Sequence, residues 1–282
     1  MAAPALPSDS VSSQPESASA PAIVFEDVYI AFEENQVLRG VSFQLAYGET
    51  KALFGVAGSG KSTILKLALG LLLPDSGRIT VLGNEVTRMR ELDLYPMRAH
   101  LGMVFQESAL FDSLTVSENV AFRLIEERGI YDDEIDRRVR ETLRFVELEH
   151  TLDLFPSELS GGMRRRVAIA RAIITQPELL LYDSPTAGLD PVTSNTIVEL
   201  IVKQRDVSKA SSLLVTHRLQ DAFTMATHEF DPRTNQLRGL PRGQYCNVPM
   251  SFLILRDGKV IFDGDIRELA HSHDEYLREY IS

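Results

Sequence analysis

Thr50-Lys51-Ala52-Leu53-Phe54-Gly55-Val56-Ala57-Gly58-Ser59-Gly60-Lys61-Ser62-Thr63 decides how the chain is read. Thr50–Phe54 is a short apolar strand, and Gly55 to Ser62 fits GxxxxGK[ST]. The glycines let the backbone curl until successive N–H groups face one anion. The spacing predicts a helix from Lys61 to about Leu72, ended by Pro74 and a turn at Asp75-Ser76-Gly77. The positive end of that helix points at the same anion. Strand, glycine-rich loop and helix in this order cradle a nucleoside triphosphate. Gly55, Val56, Ala57, Gly58, Ser59, Gly60, Lys61, Ser62 and Thr63 are then the binding residues. Lys61 reaches the β- and γ-phosphates, and the Ser62 hydroxyl ligates Mg²⁺.

Outward from the loop, strands alternate with helices. Ile23–Phe32 and Val41–Ala46 alternate as strands, and Ile79–Leu82 and Leu101–Phe105 follow. Val116–Ile125, Asp133–Val146 and Gly161–Thr175 carry helical spacing, the first opened by the capping-box pair Thr115 and Glu118. Leu179–Asp183 is a buried strand whose terminal carboxylate suits the Mg²⁺ water shell. Pro191–Gln204 is a helix with proline in its first turn, and Ser212–Thr216 another buried strand. Phe252–Arg256 and Lys259–Phe262 form a hairpin around Asp257-Gly258, and a helix near 273–281 closes the chain. The alternation predicts an α/β fold with a mostly parallel sheet covered on both faces, and the strand-free block 106–175 a separate helical lobe.

Composition narrows the function. With 29 Lys+Arg against 40 Asp+Glu the net charge is −11, which argues against a nucleic-acid partner. At 282 residues the chain is too short to hold both membrane spans and an engine. Its best apolar run, Leu67–Leu73, falls short of the ~20 residues a bilayer needs. Cys246 stands alone, so there is no internal disulfide and no cysteine metal site, and a reduced setting is expected. Residues 1–21, rich in Ala, Pro and Ser, are expected to be a disordered tail rather than a secretory signal.

Leu159-Ser160-Gly161-Gly162-Met163 resembles the signature motif of ABC-type ATPases, and the family's other marks occur in the family's order. Gln106, after Val104-Phe105, matches the Q-loop glutamine; Ala187-Gly188-Leu189-Asp190 matches the D-loop; Thr216-His217 matches the H-loop. Phe32 sits where the family places the aromatic that stacks on adenine, with Tyr29 close by as the alternative. The resemblance covers about residues 22–282. It implies a P-loop NTPase core with an N-terminal antiparallel β portion and a helical subdomain. It also implies ATP and Mg²⁺ as ligands, with the metal held by Ser62, Gln106 and Asp183. Lys61, Gln106 and His217 become catalytic, and Ser160, Gly161, Gly162 and Asp190 contact nucleotide. Ser160, Gly161 and Gly162 open a helix and so make a second anion site. In the family that site closes over the nucleotide of a second copy, giving a homodimer. A separate permease docks its helices beside Gln106, Glu107 and Phe111.

A narrower set is similar to the ATPases of Mla-type systems, which work with MCE proteins to move phospholipid between the two membranes of diderm bacteria. It comprises Met163 followed by Arg164-Arg165-Arg166, the run Leu154-Phe155-Pro156-Ser157-Glu158, Glu107-Ser108-Ala109-Leu110-Phe111, and the C-terminal helix after His271-Ser272-His273-Asp274. The resemblance implies an MCE partner reached through the permease, at the cytoplasmic face of the inner membrane.

Two departures stand out. The family's catalytic glutamate is here Ser184, too short and uncharged to act as a base near neutral pH. Either hydrolysis is slow, carried by positioning and electrostatics, or the chain binds ATP as a switch without turning it over. Residues near 229–249 also exceed what the family needs, and are expected to be a solvated loop or, through Arg233, Arg238 and Arg242, a docking flap. The other function classes are a soluble ABC ATPase acting on DNA or ribosomes and a non-hydrolysing ATP-dependent regulator. The first lacks support, since the chain has no heptad run and a single cassette.

Overall fold

The structure is a computed structural model that describes residues 20–126, 131–241 and 243–271. The expected closing helix, and all but the end of the expected tail, lie outside the described residues. The N-terminal strands β1 (Ile23–Phe32) and β2 (Asn35–Leu45) pair antiparallel around a tight turn at Glu33-Glu34. β2 starts six residues before the expected strand, because register shifts along the pair break its alternation. β3 (Thr50–Gly55) is buried throughout and leads into the phosphate loop and α1 (Lys61–Ala68). α1 stops short of Leu72 because Gly70 takes φ +66° and Leu94 fills the space where its side chain would stand.

β4 (Ser76–Val81), the short β5 (Asn84–Glu85), α2 (Glu91–Ala99) and β6 (Leu101–Val104) follow. α2 was not legible, since Pro96 lies inside it. Arg98 ties it to the end of α1, with Nε donating to the Leu69 carbonyl at 2.8 Å. α3 (Val116–Glu126), α4 (Asp132–Phe145) and α5 (Gly161–Ile173) come before β7 (Leu179–Asp183), and no strand intervenes among the described residues. The remainder is α6 (Pro191–Ser208), β8 (Ser211–Val215), α7 (Leu219–Thr227), β9 (His228–Asp231), β10 (Gln236–Gly239), β11 (Met250–Arg256), β12 (Lys259–Gly264) and α8 (Ile266–Ala270).

The expected loop near 229–249 is thus partly an antiparallel ribbon of β9 and β10. Its base is fixed by a buried group: Arg205, on α6, donates to the carbonyls of Met225 and His228, while Asp206 accepts from both Arg205 and the Phe230 amide.

The main sheet runs β12-β11-β3-β8-β7-β6, parallel from β11 to β6 with β12 antiparallel at the edge. A second sheet, β2-β1-β4-β5, is antiparallel. One apolar core lies between the two sheets around α1, another gathers α3, α4, α5 and α6 against the far side of the parallel strands, and a third seats α7 and α8 on β3 and β11. Because β3, β8, β7 and β6 are parallel neighbours, the residues just after them share one end of the sheet, where α/β folds bind ligands. Those residues are the phosphate loop, His217, Ser184 and Gln106.

Candidate nucleotide site

The loop between β3 and α1 has the shape the glycines require. Gly60 caps α1 at φ +98°, and a Cβ there would meet Leu38 Cδ2 at 2.6 Å. β2 therefore lies directly against the loop, and Val37 and Leu38 belong to its wall. Sequence reading missed both, since a short apolar pair in a strand looks like core.

Lys61 Nζ donates to the carbonyls of Gly55 and Val56, each at 2.8 Å. Burial pushes its pKa below the usual lysine range, against the pull of Asp183. Ser62 Oγ donates to Asp183 Oδ1 at 3.2 Å, so hydroxyl and carboxylate face one point across β3 and β7. The buried Ser59 hydroxyl has no hydrogen-bond partner among the described residues. Among those residues no group of three or more His, Cys, Asp or Glu could hold a metal. A cation here would be held by one hydroxyl, one carboxylate and the oxygens of ligand and water, a donor set that suits Mg²⁺ rather than a transition metal.

Ser184 follows Asp183 in a left-handed conformation, φ +46°. Its N–H donates to the Val215 carbonyl at 2.9 Å, and its carbonyl accepts from Ala187 at 3.0 Å, which fixes the segment between β7 and β8. Two residues on, Thr186 Oγ1 donates to Asp221 Oδ2 at 2.5 Å. Asp221 is buried at the start of α7 with Arg218 Nε 3.5 Å away. Burial pushes its carboxyl up, with Thr186, Arg218 and His217 opposing. Gln106 and His217 are exposed at the ends of β6 and β8. Phe32 is 45% exposed at the end of β1 and Tyr29 39%, but the Tyr29 hydroxyl packs over Gly40, leaving Phe32 the freer ring.

Ser160 caps α5, its hydroxyl accepting from the Met163 amide at 3.2 Å. Gly162 needs to be glycine: a Cβ would meet Thr193 Cγ2 at 2.4 Å. Thr193 is itself held, since Asp190 caps α6 by accepting from the amides of Val192 and Thr193 at 3.0 Å and from Thr193 Oγ1 at 2.5 Å. These bonds keep the Asp190 carboxyl below its usual range. Among the described residues no hydrogen bond or ion pair joins Ser160, Gly161, Gly162, Asp190 or Phe32 to the phosphate loop. The structure assembles Lys61, Ser62 and Asp183, and among the described residues joins the second anion site to none of them by a hydrogen bond.

Arg165, which motif reading passed over as one of three arginines, is buried beside the residues that lead into Gln106 and the D-loop, donating to the carbonyls of Phe105 and Ala187. Its burial was legible, because Arg165, Ala168, Ile169 and Ala172 share one face at helical spacing, and all are buried.

The sequence profile of the family described as ABC transporter matches residues 38–187. The Arabidopsis thaliana protein TRIGALACTOSYLDIACYLGLYCEROL 3, chloroplastic, is 36% identical over 262 residues, covering 90% of this chain and 71% of that one. The intermembrane phospholipid transport system ATP-binding protein MlaF of Haemophilus influenzae is 33% identical over 241 residues, covering 86% and 83%. Among solved structures, the dimeric post-hydrolysis state of the ATP-binding cassette MJ0796 bound to ADP and Pi superposes with a TM-score of 0.72 at 28% identity, covering 87% of this chain and 99% of that one.

Proposed function

The chain belongs to the ABC transporter family as an ATP-binding ATPase, and from that premise we propose that it is the energy-coupling subunit of a phospholipid transporter. The phospholipid assignment is supported by the names of the Haemophilus and Arabidopsis relatives. The observation that carries the mechanism is the meeting of Lys61, Ser62 and Asp183 at the end of β3 and β7, with the Ser160-led anion site left unpartnered in the same chain.

Lys61 exchanges the Gly55 and Val56 carbonyls for the β- and γ-phosphates, which restore the proton affinity that burial removes. Ser62 and Asp183, with Gln106, would hold Mg²⁺, which would supply charge neutralisation at the phosphate oxygens. Phe32 stacks on the base. Ser160, Gly161 and Gly162 of a second copy close over the γ-phosphate, so a triphosphate bridges two surfaces that otherwise lack partners. Gln106 and His217 orient the attacking water, and Ser184 supplies no base, so hydrolysis is slow. Loss of the γ-phosphate removes the bridge and the dimer opens.

No described helix is long and apolar enough to cross a membrane. The likeness to the MlaF and TRIGALACTOSYLDIACYLGLYCEROL 3 relatives supports a reading in which the chain works on a separate permease, docked beside Gln106, Glu107 and Phe111, at the cytoplasmic face of the inner membrane, and through it on an MCE protein. Affinity purification from the native membrane tests this. It is expected to bring down an integral membrane protein, and the pair in liposomes is expected to move a fluorescent phospholipid only with Mg-ATP. ATP-driven closure without lipid movement overturns the substrate assignment. A chain that stays monomeric with saturating Mg-ATP and its companion present overturns the transporter reading.

A further inference from the structure

Arg165 lies on α5, one and a half turns from Ser160, with only 5% of its surface exposed. Its Nη1 donates to the carbonyl of Phe105, the residue before Gln106, at 3.0 Å. Its Nη2 donates to the carbonyl of Ala187, which opens the segment leading to Asp190, at 3.4 Å. Its Nε is buried and has no acceptor among the described residues. One side chain on the signature helix thus grips the peptide that leads into Gln106 and the peptide that leads into Asp190. The helix also packs against the D-loop and α6: a Cβ on Gly161 would make ordinary contact with Leu189, and one on Gly162 would collide with Thr193 of α6.

On the dimer reading above, Gln106 serves the nucleotide of its own chain, whereas Ser160 closes over the nucleotide of the second copy, with Asp190 held beside that site through Thr193. We propose that Arg165 is a positioning residue that couples the two nucleotide sites, its guanidinium making the place of Gln106 set the place of Ser160 and Asp190. A planar fork with five donors can hold two carbonyls from different segments, which an ammonium cannot do with fixed geometry. The grip is firm toward Phe105 and long toward Ala187, and the idle Nε leaves a donor in reserve. The guanidinium can therefore redistribute its bonds when Gln106 moves, and it carries that movement to α5 and the D-loop. A buried donor without an acceptor is costly in a purely structural role, and is accommodated where a second arrangement of the same groups satisfies it.

The test uses the full-length chain and two separate readouts. Binding of a fluorescent ATP analogue is measured at protein concentrations dilute enough to keep the chain monomeric, and Mg-ATP-driven dimerisation is measured by analytical ultracentrifugation. Arg165→Gln is expected to leave monomer affinity within about twofold, because the phosphate loop is untouched, and to weaken the Mg-ATP dimer about tenfold. Arg165→Lys, which keeps the charge and one bond, is expected to fall between, at about threefold, and carries the test if the glutamine variant does not fold. Arg166→Gln is the control for burial on the same helix. Arg166 is half-buried and donates to Val146 within the helical lobe, touching neither Phe105 nor Ala187, and its loss should leave dimerisation unchanged. Equal dimerisation of parent and Arg165 variants overturns the coupling role, as does a loss no larger than that of Arg166→Gln or one matched by a loss of monomer affinity. If the parent itself binds ATP and never dimerises, the dimer reading fails and the coupling role with it.

Discussion

Ser184 occupies a left-handed turn, φ +46°, whose N–H and C=O are both engaged, so the backbone at this position is held whatever the side chain does. A glutamate there would stand beside Asp183 at the same end of the sheet, with a carboxylate able to take a proton from water. Ser184→Glu is expected to raise ATP turnover at least ~10²-fold, the lower end of general-base effects and about 2.7 kcal/mol of barrier. Single-turnover hydrolysis measures it, and equal rates would remove residue 184 from the chemistry. Asp221 makes a second prediction. Burial lifts its carboxyl in the folded chain, so the folded state binds that proton more tightly than the unfolded one does. The stability this brings is complete below the ordinary carboxylate range and is lost as pH rises through the folded value. Asp221→Asn keeps an acceptor for Thr186 Oγ1 and removes the titration. Its thermal midpoint relative to the parent is expected to rise between about pH 4 and pH 7. A relative midpoint that falls over that range means that the ionised form is favoured instead.

Individual elements were legible to the extent that their pattern was local. β1 and β7 match their expected bounds because Ile23–Phe32 and Leu179–Asp183 are strands in composition as well as in place. α2 was hidden by Pro96, and the early start of β2 by register shifts that spoil its alternation. The β9–β10 ribbon was hidden for another reason: its order comes from α6, through a buried arginine and its neighbouring aspartate more than twenty residues away, and no local window contains both partners. The site followed the same rule. Lys61, Ser62 and Asp183 were readable because each sits in a motif fixed by chain geometry. Val37, Asp221 and the bridging role of Arg165 depend on contacts between distant segments. The ribbon supplies a prediction at this scale. Arg205 is almost wholly enclosed and Asp206 is its only acidic partner among the described ion pairs. Asp206→Ala leaves a buried cation without its counter-charge and is expected to cost about 3 kcal/mol in urea unfolding. Hydrogen exchange at the Phe230 amide, which loses its acceptor, should accelerate by more than the global loss of stability explains. Uniform acceleration across the chain would mean that the pair braces the whole fold rather than the ribbon.

For the whole molecule, what matters is how many chains make a site. The phosphate loop, Asp183 and Gln106 lie at one end of the parallel sheet, while Ser160 opens a helix whose anion-binding end makes no hydrogen bond to any of them among the described residues. If a working site takes the first set from one copy and the second from another, two different lesions in separate chains should complement each other. Lys61→Ala disables the phosphate loop, and Ser160→Arg fills the second anion site with bulk and positive charge. Each variant alone forms only dead dimers, because both of its composite sites carry the lesion. Mixed in equal amounts, random pairing makes half of the dimers heterodimers, in which one site carries both lesions and the other carries neither. The mixture is therefore expected to recover about a quarter of the parent's capacity to occlude Mg-ATP per chain, read as labelled nucleotide still retained on a filter after a chase with excess unlabelled ATP, so that nucleotide held by a single phosphate loop has exchanged and is not counted. Recovery near zero would mean that the two sites act only when both are intact. Full activity in either single variant would place a complete site within one chain, and the head-to-tail dimer would lose its physical basis.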